Sequence, residues 1–385
     1  MSPPVRQDRG HIAAESLAGE LMSLIAIPSV TGEEEAIARH LHRRVESAGR
    51  DALAFGRSIL VPPPADRRPL VVLAGHIDTV PPRGNAAPRR EGDTILGRGA
   101  ADMKGGVAVL LSLLDRPETG SGWARVAAIL YAGEEGPAEG NELAGLLDGP
   151  AAWARAAALA ILLEPTGDAI EVGCNGSIHV EVRFLGEACH SARPWLGRNA
   201  IGAALDWLAA IDRFAPRAHS IHGYEFMESA SVTMLRAGTA RNMIPGDLTA
   251  NLNYRFPPGI DLATARAEAL RLCAPAAEAR IVDAAPSGSV PLDDPLFAAF
   301  LERSGLPSRA KQGWTDVARF GERGIPALNF GPGDPQLAHR DDERVAIDSL
   351  VRCRDLLARF LDGPRPFGER MRDATPETGE EKETG

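Results

Sequence analysis

The sequence predicts an α/β protein in which a mostly parallel sheet is flanked by helices and a smaller α+β domain is inserted. Two patterns carry this prediction. Short, continuous apolar runs alternate with helical stretches along most of the chain, whereas a middle segment alternates apolar and polar residues one by one. The chain has 385 residues, of which 44% are hydrophobic. That length suggests two domains, or one domain with an insertion.

Four apolar runs predict the strands of the large sheet. Each is short and apolar almost throughout, which is typical of strands that helices cover on both faces, as in parallel sheets. The runs are 69–75, 125–131, 157–163 and 325–330. An apolar helix is predicted at 105–114, between the first two runs.

Two further helices are predicted before the first strand, at 11–28 and 33–48. Thr31 is a candidate N-cap of the second helix, because a threonine hydroxyl can accept a bond from a free N–H of the first turn. The glutamates at 33–35 suit the positive end of that helix dipole.

The middle of the chain predicts a different sheet. The segment 177–185 places apolar and polar side chains on opposite faces, as a half-buried strand does. The elements that follow are a helix at 199–213, strands at 229–236 and 247–256, a helix at 261–273 and a strand at 279–283. This β-α-β-β-α-β order is the ferredoxin-like pattern.

The predicted division of the chain follows from these elements. Residues 1–175 and 288–364 form the two parts of the large domain, and 176–287 form the inserted domain. The polar, Thr/Glu/Pro-rich end at 365–385 is predicted to be a disordered tail.

Composition excludes several classes of partner. The formal net charge is −10 and no Lys/Arg-rich run is present, so we expect no nucleic-acid binding. No stretch approaches a membrane span, and the N-terminus lacks an apolar signal region. The four cysteines form no CxxC pair and are expected to be reduced. Together these features predict a cytoplasmic protein.

Each of the four apolar runs leads into side chains that bind cations. In chain order they are His76 and Asp78, the pair Glu134-Glu135, Glu164, and His339, which follows a Gly331-Pro332-Gly333 loop. Asp102 joins them from the glycine-rich loop before the apolar helix. The carboxyl ends of parallel strands meet at one edge of a sheet. The sequence therefore predicts that these side chains lie close together.

Two imidazoles and several carboxylates, without a thiolate, suit zinc, or less selectively cobalt or manganese. Two metals fit better than one, because a carboxylate can give one oxygen to each ion, and Asp102 is the candidate bridge. Glu134 and Glu135 are adjacent and cannot point the same way. If Glu135 binds metal, Glu134 is free to act as the general base. Asp78 could accept the second N–H of His76.

The glycine-rich loop has a competing interpretation as a phosphate cradle, and an isolated His-x-Asp or Glu-Glu pair often has no function. The loop lacks the GK[ST] ending of a phosphate-binding loop. The coincidence of all these groups at strand ends favours a metal site.

These segments resemble a known family. GHIDTVP at 75–81, GRGAADMKGG at 97–106, EEG at 134–136, EPT at 164–166 and HSARP at 190–194 resemble the M20 zinc peptidases and deacylases. The resemblance runs from about residue 27 to about residue 362. It implies a zinc-exopeptidase-like catalytic domain and an inserted lid and dimerisation domain. Segments 313–320 and 329–343 resemble the branch of that family that acts on N-succinyl-LL-2,6-diaminopimelate.

The resemblance also implies a role for each member of the cluster. His76 and Glu164 would hold one zinc, Glu135 and His339 the other, and Asp102 would bridge them. Glu134 would be the general base and Asp78 the residue that orients His76. The peptide bond after Asp102 would be cis.

The inserted domain would supply residues that meet the substrate. His190 matches a family histidine that reaches across a dimer interface and stabilises the oxyanion, which implies a homodimer. Asn242 and Arg255 match substrate contacts. Arg193 is a further candidate carboxylate ligand, and N–H groups of the Gly331 loop could also bind substrate.

Alternatives remain within the family and outside it. The ligand set is the same in deacylases of acetylornithine, acetyl-lysine or other N-acyl amino acids, and in dipeptidases. Asn175 stands where the other bacterial branch of desuccinylases carries an arginine, and 136–147 matches the family only loosely. A non-catalytic metal-binding relative is the alternative from another class, although all five ligands and Glu134 are present.

Overall fold

The computed structural model describes residues 5–116 and 122–364. The predicted tail at 365–385 lies outside these residues. The helices, in chain order, are α1 (Val5–Ile25), α2 (Glu35–Ser47), α3 (Lys104–Leu114), α4 (Leu143–Asp148), α5 (Ala200–Asp212), α6 (Leu262–Leu272), α7 (Pro295–Ser304), α8 (Val317–Gly321) and α9 (Ile347–Asp362).

Eighteen strands lie in the described part of the chain. They are β1 (Leu53–Phe55), β2 (Ser58–Val61), β3 (Leu70–His76), β4 (Arg89–Glu91), β5 (Thr94–Leu96), β6 (Arg125–Tyr131), β7 (Ala157–Pro165), β8 (Ile170–Val172), β9 (Gly176–Leu185), β10 (Cys189–His190), β11 (Arg217–Ile221), β12 (Tyr224–Ala237), β13 (Met243–Ile244), β14 (Asp247–Phe256), β15 (Glu278–Ala285), β16 (Ser308–Ala310), β17 (Ala327–Gly331) and β18 (Arg344–Ala346).

The large sheet has eight strands in the order β1-β2-β6-β3-β7-β17-β8-β16. The four predicted strands are its central members, and the pairs β3–β6, β3–β7 and β7–β17 are all parallel. Antiparallel pairing is confined to β1–β2, β2–β6 and β8–β17. The predicted fold class, a mostly parallel sheet flanked by helices, is confirmed.

The core lies on both faces of this sheet, which is why its strands are apolar without alternation. In β3, Val71 and Leu73 join the core on the side of α1, α3 and α9. Leu70, Val72 and Ala74 join the core on the side of α4 and α8. A strand covered on both faces has no polar side, so its residues follow the continuous pattern seen in the sequence.

The elements predicted between 176 and 287 form a second sheet of five strands, in the order β11-β12-β14-β9-β15. Helices α5 and α6 pack against one face, and their apolar side chains share a core with alternate residues of β9 and β14. The sequence did not predict β11, which pairs with the start of β12 as a hairpin. The short pair β10–β13 lies outside the five-stranded sheet.

Thr31 does not cap α2, so that prediction is wrong. The N-cap position of this helix is Glu34, and no side chain bonds to the first turn there. The hydroxyl of Thr31 donates instead to Asp78 Oδ2 at 2.9 Å. A sequence pattern can show a hydroxyl near a helix start, but not a distant acceptor that competes for it.

A third, three-stranded sheet joins two distant loops. Strand β18 pairs antiparallel with β5, which also pairs with β4. This pairing places the chain around His339 beside the glycine-rich loop that holds Asp102. Within the described ranges, no helix is long and apolar enough to cross a membrane.

Candidate metal centre

The functional side chains lie at the carboxyl ends of neighbouring parallel strands. His76 is the last residue of β3, and Glu164 is the last but one of β7. Glu134 and Glu135 follow β6 after a short turn. Because these strands run in the same direction, their ends deliver the side chains to one edge of the sheet. The structure thus brings together the five residues predicted as ligands.

One group of potential ligands consists of His76, Asp102 and Glu164, whose donor atoms lie within 4.8 Å of one another. The Nε2 atom of His76 is 3.1 Å from Asp102 Oδ1 and 3.9 Å from Glu164 Oε1. The His76 side chain is only 1% exposed. The backbone oxygen of Asp78 lies 3.0 Å from its Nδ1 and holds the other side of the ring.

A second group consists of Asp102, Glu135 and His339. The Nε2 atom of His339 is 2.9 Å from Glu135 Oε1 and 3.4 Å from Asp102 Oδ2. The His339 side chain is half exposed, and its backbone φ is +64°. This conformation is uncommon for a residue other than glycine and fixes the direction in which the ring leaves the loop.

Asp102 belongs to both groups and turns a different oxygen to each. Its Oδ1 faces His76, and its Oδ2 faces His339. The peptide bond between Asp102 and Met103 is cis, as the family resemblance implied. A carboxylate that offers one oxygen to each of two ligand sets has the arrangement that a bridging ligand requires.

The residues present fit a pair of divalent cations. Glu164 Oε1 is buried and has no hydrogen-bond partner within the described residues. A buried carboxylate oxygen without a partner is costly unless a cation is bound to it. Burial, together with the charge of Asp102, raises the pKa of Glu164 to about 8. Bound dications would offset the repulsion between the carboxylates. They would also give Glu164 Oε1 the partner that it lacks.

Glu134 lies beside the two groups and is distinct from Glu135 in its surroundings. It forms a third cluster with His76 and Glu135, but the backbone turn directs Glu135 towards His339. Burial raises the pKa of Glu134 well above its ordinary value. A carboxylate in such a place is a stronger proton acceptor than an exposed one.

Asp78 holds the turn that carries Glu134 and Glu135, and the sequence did not indicate this role. Its Oδ1 accepts the N–H groups of Gly133 and Glu134, each at 3.1 Å. Its Oδ2 accepts the N–H of Glu135 at 3.0 Å and the Thr31 hydroxyl. Burial alone would raise its pKa, but His76 and these donors hold the pKa at about 2. Its carboxylate is 3.6 Å from His76 Nδ1.

Sequence reasoning also missed a buried ion pair behind the centre. Arg98 Nη1 lies 2.6 Å from Glu343 Oε2, and Glu343 Oε1 accepts the N–H of Asp102. Both residues fall within segments that resemble the family, but a sequence shows no pairing between positions so far apart.

The predicted substrate residues form a separate group. His190 lies in β10, opposite Met243 of β13, and its carbonyl oxygen accepts the N–H of Arg193. The carbonyl oxygen of Asn242 accepts the N–H of Ser191. The structure thus brings His190, Arg193 and Asn242 together, and none of them belongs to the clusters of potential metal ligands in the described residues.

Arg255 and Gly331 each make a hydrogen bond within the protein. Arg255 lies in β14, and its Nε donates to Asn253 Oδ1 at 2.9 Å. The N–H of Gly331 is directed at Thr166 Oγ1 at 3.4 Å, and that of Gly333 donates to Ser349 Oγ. Pro332, between them, has no N–H. The N–H groups of Gly331 and Gly333 thus face acceptors within the protein, and the substrate contact at Gly331 stays a prediction.

A model of the peptidase family M20/M25/M40 matches residues 72–363. The chain belongs to the M20 family. It is therefore a hydrolase of that family, as the sequence motifs predicted. Every residue of both ligand groups lies within the matched range.

Two M20 relatives are similar over most of the chain. A Mycobacterium tuberculosis protein named "Putative succinyl-diaminopimelate desuccinylase DapE" is 39% identical over 351 residues, which cover 89% of this chain and 96% of the relative. The succinyl-diaminopimelate desuccinylase of Corynebacterium glutamicum is 35% identical over 347 residues, which cover 88% and 94%.

Solved structures of M20 proteins share the fold. A Staphylococcus aureus tripeptidase superimposes with a TM-score of 0.71 at 18% identity, covering 91% of this chain and 98% of its own. A Bacillus subtilis protein described as a dinuclear metal binding peptidase of the M20 family has a TM-score of 0.63 at 16% identity, with the same coverage.

Replacing Asp78→Asn tests whether its carboxylate holds the turn. One oxygen becomes an amide nitrogen that faces donors and cannot accept from them. We expect the affinity for divalent cations to fall about 10- to 100-fold and the free energy of unfolding to fall by about 1–3 kcal/mol. Metal titration of the apoprotein and urea unfolding measure the two effects. Thr31→Val removes only one of the four bonds and should cost less, and wild-type affinity in Asp78→Asn would contradict this role.

Proposed function

We propose that the protein is a two-zinc amide hydrolase that removes the N-acyl group of an amino acid. The leading substrate is N-succinyl-LL-2,6-diaminopimelate, which would give succinate and LL-2,6-diaminopimelate. The observation that carries the proposal is the position of Asp102, which turns one carboxylate oxygen to His76 and the other to His339. The curated relatives at 35–39% identity support the choice of substrate.

The ligand assignment follows the two groups. His76 and Glu164 would hold one zinc, Glu135 and His339 the other, and Asp102 would bind both. Cobalt or manganese could replace zinc, because the donors are nitrogen and oxygen only. When bound, the two ions supply a water of lowered pKa and polarise the acyl carbonyl.

Glu134 would carry the proton through the reaction. Its carboxylate takes the proton of the attacking water as the carbon–oxygen bond forms. It then gives that proton to the amide nitrogen as the carbon–nitrogen bond breaks, which releases a free amine. Its burial beside His76 and Glu135 supports this role, since a general base must lie within reach of the nucleophile.

His190 would stabilise the carbonyl oxygen as negative charge develops there. Its Nδ1 accepts the N–H of Ala192 at 3.0 Å, so the proton of a neutral ring lies on Nε2 and is available for donation. The histidine is exposed and lies outside the metal clusters. We therefore propose that it acts in the active site of a partner subunit.

Exposed apolar side chains around the small sheet support such a homodimer. Trp195 and Leu196 follow the His190 segment and are 75% and 60% exposed. Met234 and Leu235 of β12 are 53% and 48% exposed, and Leu205 of α5 is 56% exposed. A surface with several large exposed apolar residues is typical of a protein–protein interface.

The proposed substrate, N-succinyl-diaminopimelate, carries three carboxylates. Its binding site must therefore supply cationic side chains and hydrogen-bond donors. Arg193, Arg255 and Asn242 are the proposed contacts, and an arginine can bind a carboxylate with two parallel bonds.

The proposed compartment is the cytoplasm, because all four cysteines are free thiols and such thiols persist in a reducing environment.

Parallel hydrolysis assays test the choice of acyl group. We expect N-succinyl-LL-2,6-diaminopimelate to be cleaved with a kcat/KM at least ~100-fold above that of N-acetylornithine, N-acetyl-lysine and dipeptides, because sites built for a charged partner discriminate strongly. Release of the free amine is followed with zinc or cobalt present. Preference for an acetylated substrate or a dipeptide would reassign the protein within the family, and no turnover of any of them would overturn the enzymatic proposal.

Replacing Glu134→Gln tests the general base. The variant keeps all five proposed ligands, so we expect it to retain its metal and to lose turnover by at least ~100-fold. Metal content is measured on the same preparation as the rate. Glu139→Gln, on the exposed surface, is the control and should behave as wild type. Near-normal turnover of the Glu134 variant with both metals bound would refute the role.

Mixed dimers test whether His190 acts in the partner's site. Glu134→Gln and His190→Ala homodimers should each lose at least ~100-fold in turnover. A purified heterodimer of the two has one active site with both residues intact, so it should recover about half of the wild-type rate. A heterodimer as inactive as the homodimers, or a fully active monomer, would contradict action in trans.

A further inference from the structure

The buried carboxylate of Glu343 binds the backbone of the loop that carries Asp102. Its Oε1 accepts the N–H of Ala101 at 3.0 Å and the N–H of Asp102 at 3.1 Å. The Glu343 side chain is fully buried. Its backbone oxygen also accepts the N–H of Gly97, at the start of the same loop. One residue thus fixes the loop at both ends.

Arg98 extends this contact to His339. Its Nη1 lies 2.6 Å from Glu343 Oε2, and its Nη2 donates to the backbone oxygen of His339 at 3.3 Å. The arginine side chain is 5% exposed. A planar guanidinium can make both contacts at once with a fixed angle between them, which a lysine could not do.

Among the described residues, β5–β18 is the only strand pairing between the loop of Asp102 and the loop of His339. That pairing ends at Leu96 and Arg344, just before the residues that carry Asp102 and just after those that carry His339. Asn85 adds one bond, from its Nδ2 to the Arg340 oxygen at 3.2 Å.

We propose that Arg98 and Glu343 are a positioning pair that sets the separation of Asp102 and His339, and so forms the cation site they share with Glu135. The proposal rests on the proposed function in that it takes these residues to be metal ligands. Neither Arg98 nor Glu343 belongs to the clusters of potential metal ligands in the described residues.

The pair should matter more to one cation site than to the other. His76 and Glu164 lie on adjacent strands β3 and β7 of the large sheet, which hold them without the loop contacts. His339 lies on a loop, is half exposed and has a positive φ. Its position therefore depends on contacts such as that of Arg98 to its backbone oxygen. Loss of the pair should weaken the Glu135–His339 site selectively.

Glu343→Gln is the sharpest test. Its side-chain oxygen can still accept the two N–H groups, but its amide nitrogen would face the donor Nη1 of Arg98. Titration of the apoprotein with Zn²⁺, against a chelating competitor, gives the affinity for each ion. We expect one of the two ions to bind about 10- to 100-fold more weakly, with the other changed by less than ~3-fold. The kcat of the Glu343→Gln variant should lie closer to the wild-type value at saturating zinc than at limiting zinc.

Two variants separate positioning from a general loss of stability. Glu228→Gln changes a carboxylate that is also buried, in the small sheet, where it accepts from Tyr254 and contacts His219. This control should destabilise the protein and leave both zinc affinities unchanged. Arg98→Lys keeps the charge, but the lysine cannot reach both Glu343 and the backbone oxygen of His339. It should weaken the binding of the same ion, by less than Glu343→Gln does.

Wild-type affinity for both ions in Glu343→Gln would overturn the proposal. Equal weakening of both ions, or the same weakening in Glu228→Gln, would also overturn it, because either result indicates a general effect on the fold. The titration contains no substrate. A wild-type protein that binds two ions but fails to hydrolyse N-succinyl-diaminopimelate would therefore contradict the proposed substrate and leave this test intact.

Discussion

The burial of several carboxylates around two imidazoles is the constraint on which the rest of the structure depends. Asp102, Glu135 and Glu164 lie within a few ångströms of His76 or His339, where water screens their repulsion poorly. Such an arrangement is unfavourable by itself, and the burial-raised pKa values of Glu135 and Glu164 show its cost. It becomes favourable when cations occupy the space between the oxygens.

The fold supplies the rigidity that holds these groups against their mutual repulsion. Parallel strands fix His76 and Glu164 at one edge of the large sheet. Asp78 uses both oxygens to fix the turn of the paired glutamates, and Glu343 does the same for the loop of Asp102. Buried carboxylates thus have two uses here. Some face the centre, and others accept the N–H groups of the backbone that carries it.

The parts that could be predicted from the sequence are those with a local signature. The apolar runs indicated β3, β6, β7 and β17, and their polar ends indicated the centre, because strand ends in a parallel sheet share an edge. Alternation indicated β9 and β14 of the small sheet. Motifs then assigned roles that composition alone left open.

The parts that could not be predicted depend on contacts between distant residues. Thr31 has the composition of a helix cap, but Asp78, 47 positions away, takes its hydroxyl. Glu343 and Arg98 are 245 positions apart, and no periodicity connects them. The sequence likewise did not show that the N–H groups of Gly331 and Gly333 point towards Thr166 and Ser349. Tertiary hydrogen bonds decided each of these cases.

Anomalous diffraction from crystals grown with zinc tests the central claim most directly. The account predicts two peaks about 3.5–4 Å apart, one on each side of the Asp102 carboxylate. One should lie about 2.0–2.2 Å from donor atoms of His76 and Glu164, and the other at that distance from donor atoms of Glu135 and His339. A single peak, or peaks that Asp102 does not touch, would contradict it.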